Sequence, residues 1–427
     1  MRLRQLQLDR DPDRRHRWHR PGPPPRPGPI RPARGARRLH RHPDDRHHRR
    51  CADPLRLRRR NLVAGASPKG APGTIVIARV ASLLPGFGSR AGLMTAKSKV
   101  VVVGSFNVDH VWSTDMLPRP GETLAGRYRS GPGGKGFNQA VAAARSGATT
   151  AFVCALGDDA GGRLARELAE GDGIALHAQS SSQPTGTAGI YVDADGRNSI
   201  VIGPGANAAL SPAHVRAQDA AFVGAGVVLA QLESPVDAVL EAFTVARRHG
   251  ASALLNPAPA DAVVTPELWA LADLTTPNET EFCMQLKRLG ADADPVTLAS
   301  QPDDALHALC RQLLPHGTVV ITLGAAGCFV SHPAGDLRGD TAPCYRQPAP
   351  QVDAIDTTGA GDAFNGALAA ALASAPGQPF AAHVRRAVDY AALSTERHGA
   401  AEAMPRMHEL AERFPDRRQY EQKINTA

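Results

Sequence analysis

The chain has 427 residues and a formal net charge of +8, from 49 Lys+Arg against 41 Asp+Glu. The excess is one-sided: residues 1–93 hold 23 Lys+Arg and 6 Asp, whereas residues 94–427 hold 26 Lys+Arg and 35 Asp+Glu. A +17 segment therefore precedes a −9 body, which excludes a uniformly basic, nucleic-acid-coating protein. The acidic part is long enough for one large or two small domains with a substantial core. No apolar run reaches the roughly 18 residues of a membrane-spanning helix. The six cysteines, Cys51, Cys154, Cys283, Cys310, Cys328 and Cys344, are scattered without a CxxC. They are expected to be reduced thiols of a cytoplasmic protein, not a disulfide frame or a zinc site.

Residues 1–93 are dominated by Arg, Pro and His and show no period of 2 or 3.6 before Thr74. Such a segment is expected to be disordered, because it has too little apolar surface to offset its chain entropy. A basic arm for nucleic acid is one reading, but Trp18 is the only aromatic before Phe87, so stacking partners are missing. An upstream stretch translated from a mis-assigned start is the favoured reading, with Met94 as a normal start ahead of the first strand. The folded body is then expected over 94–427.

In chain order, Val100–Val103 is an apolar run ending at Gly104-Ser105, the pattern of a buried strand and turn. The same pattern recurs at Ala151–Leu156, Val227–Leu232, Ala253–Leu255, Val319–Leu323 and Cys328–Val330. Helical periodicity falls between them, at Asn138–Ser146, Gly161–Glu170, Val236–His249, Glu279–Arg288 and Asp304–Leu314. This alternation predicts an α/β fold with a mostly parallel sheet covered on both faces, its ligands beyond the carboxyl ends of the strands. Two stretches break the alternation. Thr123–Ser130 reads as a strand, and Thr185–Ile202 as a hairpin around Asp193-Ala194-Asp195-Gly196. They are expected to form either a small lid sheet or an ordinary edge hairpin.

Three constellations carry chemistry. In Asp356-Thr357-Thr358-Gly359-Ala360-Gly361-Asp362-Ala363-Phe364-Asn365-Gly366, a small-residue loop opens onto a helix. Unpaired amides and the helix dipole make such a start an anion site. Asp362 at its mouth can take a proton from an attacking hydroxyl; the alternative is an N-capping Asp. In Gly131-Pro132-Gly133-Gly134-Lys135-Gly136-Phe137-Asn138-Gln139, a second glycine loop opens a helix, without the Ser or Thr of a GxxxxGK[ST] loop. A glycine turn with a solvated Lys135 is the plain alternative. Asn107 and Asp109 are two apart, so on a strand they share a face, and an amide beside a carboxylate suits a vicinal diol; a solvent-facing polar pair is the plain alternative. Weaker signals follow other strands: Gln231-Leu232-Glu233; Asn278 and Glu281 at a helix start, suited to hydrated Mg²⁺; and the turn Thr322-Leu323-Gly324-Ala325-Ala326-Gly327, which can border a nucleotide.

Together and in this order, these motifs resemble the PfkB (ribokinase) family of carbohydrate kinases, from about Val100 to Pro405. GGKGFNQAVAAARSGA and DTTGAGDAFNGAL are similar to its two signatures, and NxD, QLESP, NPAPA, TPNETE and TLGxxG add to the match. The resemblance implies a three-layer sandwich with a β-sheet lid, and a cytoplasmic homodimer paired through that lid. It implies ATP-dependent phosphorylation of D-ribose at O5, with 2-deoxyribose or a nucleoside as the alternative acceptor. A non-catalytic sugar sensor or nucleic-acid-binding protein is the remote alternative, disfavoured by the intact Asp362. Asn107, Asp109, Gly134, Lys135, Gly136, Asn138 and Glu233 are implied to hold the sugar, and Asp362 to be the base. Asn278, Thr322, Leu323, Gly324, Ala325, Ala326, Gly327, Gly359, Ala360 and Gly361 are implied to contact ATP. Glu281 is implied to order Mg²⁺, and Asp356, Thr358, Ser394, Arg397 and Gly399 an activating K⁺, several through backbone carbonyls. Two positions depart from the pattern: Ala403 stands where relatives carry Ser in the ion-site loop, and Ala387–Tyr390 lacks the His or Asn placed near the adenine.

Overall fold

A computed structural model describes residues 99–415. The expectations for residues 1–93, and for Met94 as a start, lie outside the described residues. Among the described residues, thirteen strands form two sheets. β1 (Lys99–Val103) is followed by β2 (Asn107–Ser113), β3 (Arg127–Gly133), β4 (Thr149–Gly157), β5 (Ala175–Ser181), β6 (Gly186–Val192) and β7 (Asn198–Gly203). Then come β8 (Ala225–Ala230), β9 (Ser252–Leu255), β10 (Leu274–Thr275), β11 (Thr318–Thr322), β12 (Cys328–Ser331) and β13 (Cys344–Gln347).

The large sheet has the order β13-β12-β11-β10-β9-β8-β1-β4-β5. Its pairs are parallel from β5 through β11, and antiparallel at β11–β12 and β12–β13. The four valines of β1 explain why the sequence shows no alternation there. Val100 and Val102 face one apolar core and Val101 and Val103 the other, and all four are fully buried. Helices Lys135–Arg145, Ala160–Gly171, Ala360–Ser374 and Phe380–Ser394 cover the first face. Helices Val236–Arg248, Pro266–Leu271, Glu279–Arg288 and Asp303–Leu313 cover the second. From β1 the chain builds outward through β4 and β5, then returns to β8 on the other flank of β1. That reversal opens a crevice beyond the carboxyl ends of β1 and β8, where a ligand site belongs.

The small sheet has the order β3-β2-β6-β7. β2 and β3 are antiparallel, β2 and β6 parallel, and β6 and β7 antiparallel, with Ile190 opposite Ile200. The hairpin expected over Thr185–Ile202 is β6–β7. The strand expected over Thr123–Ser130 lies later, at Arg127–Gly133, because β3 pairs residue for residue with all of β2. Consequently Gly131–Gly133 is strand and not turn, and the following helix starts at Lys135, not Asn138. β5, β10 and β13 were not expected. β10 is two residues long, and β5 reads Ala-Leu-His-Ala-Gln-Ser-Ser, too polar for a core strand. Among the described residues no helix is long and apolar enough to cross a membrane, and the five described cysteines are free.

The Lys135–Arg145 and Ala360–Ser374 helices approach closely at Gly366. A Cβ there would lie 2.5 Å from both Ala142 Cβ and Gln139 O. Gly366→Val is expected to wedge the two helices apart and cost about 1–3 kcal/mol, or more if backbone must move. Urea unfolding of the variant against the parent checks this.

Candidate active site

The Ala360–Ser374 helix opens on Gly359, whose φ of 76° is left-handed. Ala363 N–H bonds back to Gly359 O at 2.8 Å. The amides of Gly361 and Asp362, the two residues just before it, have no protein acceptor among the described residues. They point the positive end of a fifteen-residue helix into the crevice. Asp362 is the third residue of that helix and does not cap it. Its side chain reaches the other glycine-opened helix, where Asn138 Nδ2 donates to Oδ2 (2.9 Å) and Gln139 Nε2 donates to Oδ1 (2.8 Å). The two signature loops, more than 220 residues apart in sequence, thus meet at one carboxylate.

Lys135 is half-buried, not solvated. Burial alone would lower its pKa, but the carboxylates of Asp362, Glu233 and Glu281 outweigh burial and raise it. Burial pushes the Asp362 carboxyl above its usual range, while Lys135 and the Asn138 and Gln139 hydrogen bonds hold it down. Asp362 is 7% exposed. Glu233 ties the loops together: its Oε2 accepts from Ser105 Oγ (2.6 Å) and from Lys135 N–H (3.0 Å).

β2 carries Asn107 and Asp109 on one face, paired with Gly133 and Gly131 of β3. Burial drives the Asp109 pKa up to about 7, helped by Glu233 and opposed by Arg129. Asn107 is held by Asn207, whose Nδ2 donates to Asn107 Oδ1 (2.8 Å) and to Phe106 O (3.0 Å). Asn207 Oδ1 in turn accepts from Phe106 N–H (3.0 Å).

At the other end, Asn278 and Glu281 form a reciprocal capping box on the Glu279–Arg288 helix, at 2.9 and 2.8 Å. Their spacing therefore has a structural use as well. Burial raises the Glu281 pKa, opposed by the Asn278 N–H and by Lys135. Thr322 N–H bonds Pro277 O (2.9 Å), which joins that cap to β11. Leu323 N–H bonds Gly327 O (2.8 Å), closing the turn over Gly324, Ala325 and Ala326 before β12. A cleft of about 170 Å³ lies among Lys135, Asn278, Glu281, Thr322, Gly361 and Asp362. Asn107, Asp109 and Glu233 belong to the lid end and do not line it.

Of the five positions grouped by the resemblance as an ion site, three converge. Asp356 Oδ1 accepts from Thr358 N–H (2.9 Å) and Oδ2 from Gly399 N–H (3.0 Å). Burial works against its charge, but these amides outweigh burial and hold its pKa below the usual range. The other two side chains are committed elsewhere: Ser394 Oγ donates to Ala391 O (2.7 Å), and Arg397 pairs with Glu409 (2.6 Å). Only their main chain is left for an ion.

Sequence reading assigned no role to Asn207, Gln139, Asn256 or Thr276. Asn256 carried a signal, since it is a polar residue directly following the apolar strand β9, as Gln231 is after β8; Thr276 follows the two-residue β10 and carried none.

A carboxylate poised at a helix N-terminus, between two glycine loops and under a β-lid, is the arrangement of a phosphotransferase that acts on carbohydrate. Residues 97–407 match the pfkB family carbohydrate kinases, and the chain belongs to that family. It is 39% identical to the ribokinase of Haemophilus influenzae over 319 residues, covering 74% of this chain and 98% of that protein. It is 38% identical to the bifunctional ribokinase/ribose-5-phosphate isomerase A of Fructilactobacillus sanfranciscensis, covering 72% of this chain and 54% of that protein. The chain thus spans about half the length of that two-activity relative. The structure of Arabidopsis thaliana ribokinase complexed with ribose and ATP matches with a TM-score of 0.64 and 29% identity, over 74% of this chain and 98% of that one.

Asn207 supports three buried polar atoms at once. Asn207→Ala strands them, and a loss of about 1–3 kcal/mol is expected for each one left unpaired. Denaturant unfolding measures the total, and a change under 0.5 kcal/mol would contradict the role.

Proposed function

We propose that the protein transfers the γ-phosphoryl group of ATP to the primary 5-hydroxyl of D-ribose. The observation that carries this reading is Asp362: a buried carboxylate, hydrogen-bonded on both oxygens, directly beside unpaired helix-start amides. Asp362 takes the proton of the 5-hydroxyl as that oxygen attacks. The amides of Gly361 and Asp362 stabilise charge on the phosphoryl oxygens, and Lys135 adds a fixed positive charge beside them. Gly359 and Ala360 bring the backbone close to the phosphates, with Asn278 and the Thr322–Gly327 turn on the nucleotide side.

The lid end suits a vicinal diol. Asn207 occupies the Asn107 carbonyl oxygen, so Asn107 has its N–H₂ to donate to one sugar oxygen, while Asp109 accepts from the other hydroxyl. Asn138 Oδ1 is buried with no partner and is the free acceptor for a further hydroxyl. Gly134, Gly136 and Glu233 complete the sugar side.

Glu281 fits a role in ordering Mg²⁺, since only its Oε2 is used by the capping box among the described residues. The ion would neutralise phosphate charge there. Asp356, kept ionised beside Thr358 and Gly399, fits an activating K⁺. Exposed Ile200, Val201 and Ile202 on edge strand β7 support pairing of two copies through the lid.

Asp362→Asn is expected to bind ATP and ribose yet lose about 10²–10⁴ in kcat. Near-normal turnover in that variant would sink the assignment. An acceptor panel of ribose, 2-deoxyribose, fructose and nucleosides, with and without K⁺, tests the substrate.

The raised Asp109 pKa gives a second test. Above about pH 7 its carboxylate is present in the free protein, and it is lost as pH falls. Ribose KM is therefore expected to rise about tenfold between pH 8 and pH 6. Asp109→Asn should show weak, pH-independent KM across that range. A flat profile in the parent protein contradicts the role.

A further inference from the structure

Asn138 and Gln139 both donate to Asp362, but their situations differ. Asn138 leaves its carbonyl oxygen without a protein partner, so its amide is turned by Asp362 itself and by nothing beyond it. Gln139 has no such freedom. A backbone carbonyl can only accept, and Thr276 O takes its hydrogen bond from Asn256 Nδ2 (3.0 Å). Asn256 must then present Oδ1 to its other neighbour, which is Gln139 (3.1 Å). Gln139 must meet that oxygen with Nε2, the same atom that faces Asp362 Oδ1. Its own Oε1 is left to Gln231, whose Nε2 donates to it.

The direction of the row is thus dictated from one backbone oxygen, and its far end shows the consequence. Gln231 Oε1 is buried and unpartnered. Turning Gln231 over would pair two acceptors, so the orphan stays at the end of the row, away from Asp362. Gln139 and Gln231 are fully buried, and Asn256 is 6% exposed. A second row reinforces the first: Gly361 O takes Asn365 Nδ2 (2.8 Å), and Asn365 Oδ1 accepts from the Thr276 hydroxyl.

We propose that Gln139 is a positioning residue whose amide, turned by the Thr276 carbonyl through Asn256, presents Asp362 with a donor that cannot be exchanged for an acceptor. A protonated carboxyl needs an acceptor for its hydrogen, and a locked Nε2–H₂ refuses it, so the row favours the charged, proton-accepting form of Asp362. The charged groups around Asp362 are Lys135, which favours ionisation, and Glu233, Glu281 and Asp109, which oppose it. With three carboxylates against one ammonium, uncharged directional donors add to Lys135 and the helix-start amides in holding the charge. This inference rests on Asp362 acting as the base.

The test is the pH profile of kcat for the full chain with ribose and ATP, together with the calorimetric Kd for ribose. Gln139→Met keeps the side-chain length and removes the donor. The acid limb should move up by about one pH unit, with kcat on that limb about tenfold lower. The alkaline plateau and the ribose Kd should stay within about threefold of the parent. Asn256→Leu, which frees Gln139 to rotate, should move the limb the same way by less, and carries the test if Gln139→Met does not fold. An unmoved limb, with kcat reduced equally at every pH, overturns the proposal. So does a loss of ribose affinity that matches the loss of rate. An inactive Asp362→Asn beside an unmoved limb would remove this inference alone, whereas an active Asp362→Asn would remove the proposed function beneath it.

Discussion

A carboxylate that is almost wholly buried is the constraint on which the other arrangements depend. Burial disfavours the ionised form of Asp362, and a charge removed from water must be met by donors or opposite charge nearby. No single segment supplies enough of either. Donors come from Asn138 and Gln139 at the start of one helix, positive charge from Lys135 just before them, and helix amides from its own loop. The parallel sheet makes this convergence possible, because it delivers the ends of β1, β8, β9, β10 and β11 to the same edge.

The same constraint explains the acidic body. Residues 94–427 carry a formal −9, a poor long-range attractor for a polyphosphate. Attraction has to be local and short-ranged, through unpaired amides and a lysine whose positive charge is strengthened by the carboxylates around it. The net charge of +8 is thus no property of the site.

How much was legible in the sequence follows from what each residue is asked to do. Val100–Val103 announces a strand because burial on both faces leaves no polar position, and the long glycine motifs announce loops because few other residues allow such backbone approach. β10 was illegible because two residues carry no period, and β5 because an edge strand tolerates polar side chains. The end of β3 was misplaced because Gly131–Gly133 reads as a turn, whereas its conformation is set by pairing with Asn107–Asp109 across the lid. In the site, Asp362 and Lys135 stood out as charges beside glycines. Asn207 did not, since a lone Asn after a hairpin is ordinary, and its importance lies in reaching across 100 residues to Asn107.

Amides differ from charges in that residue type says nothing about direction. Asn107, Asn138 and Gln139 are chemically alike, yet the surroundings give them three separate states. Asn107 has its acceptor taken by Asn207, so it offers a donor. Asn138 has an open acceptor beside Asp362. Gln139 is closed at both ends. A pocket that must tell one polyol from another needs donors and acceptors in a set order, because an unmatched buried polar group costs more than a missing contact. Neutral amides turned by their neighbours supply that order without adding to a charge balance already strained by three carboxylates around one lysine.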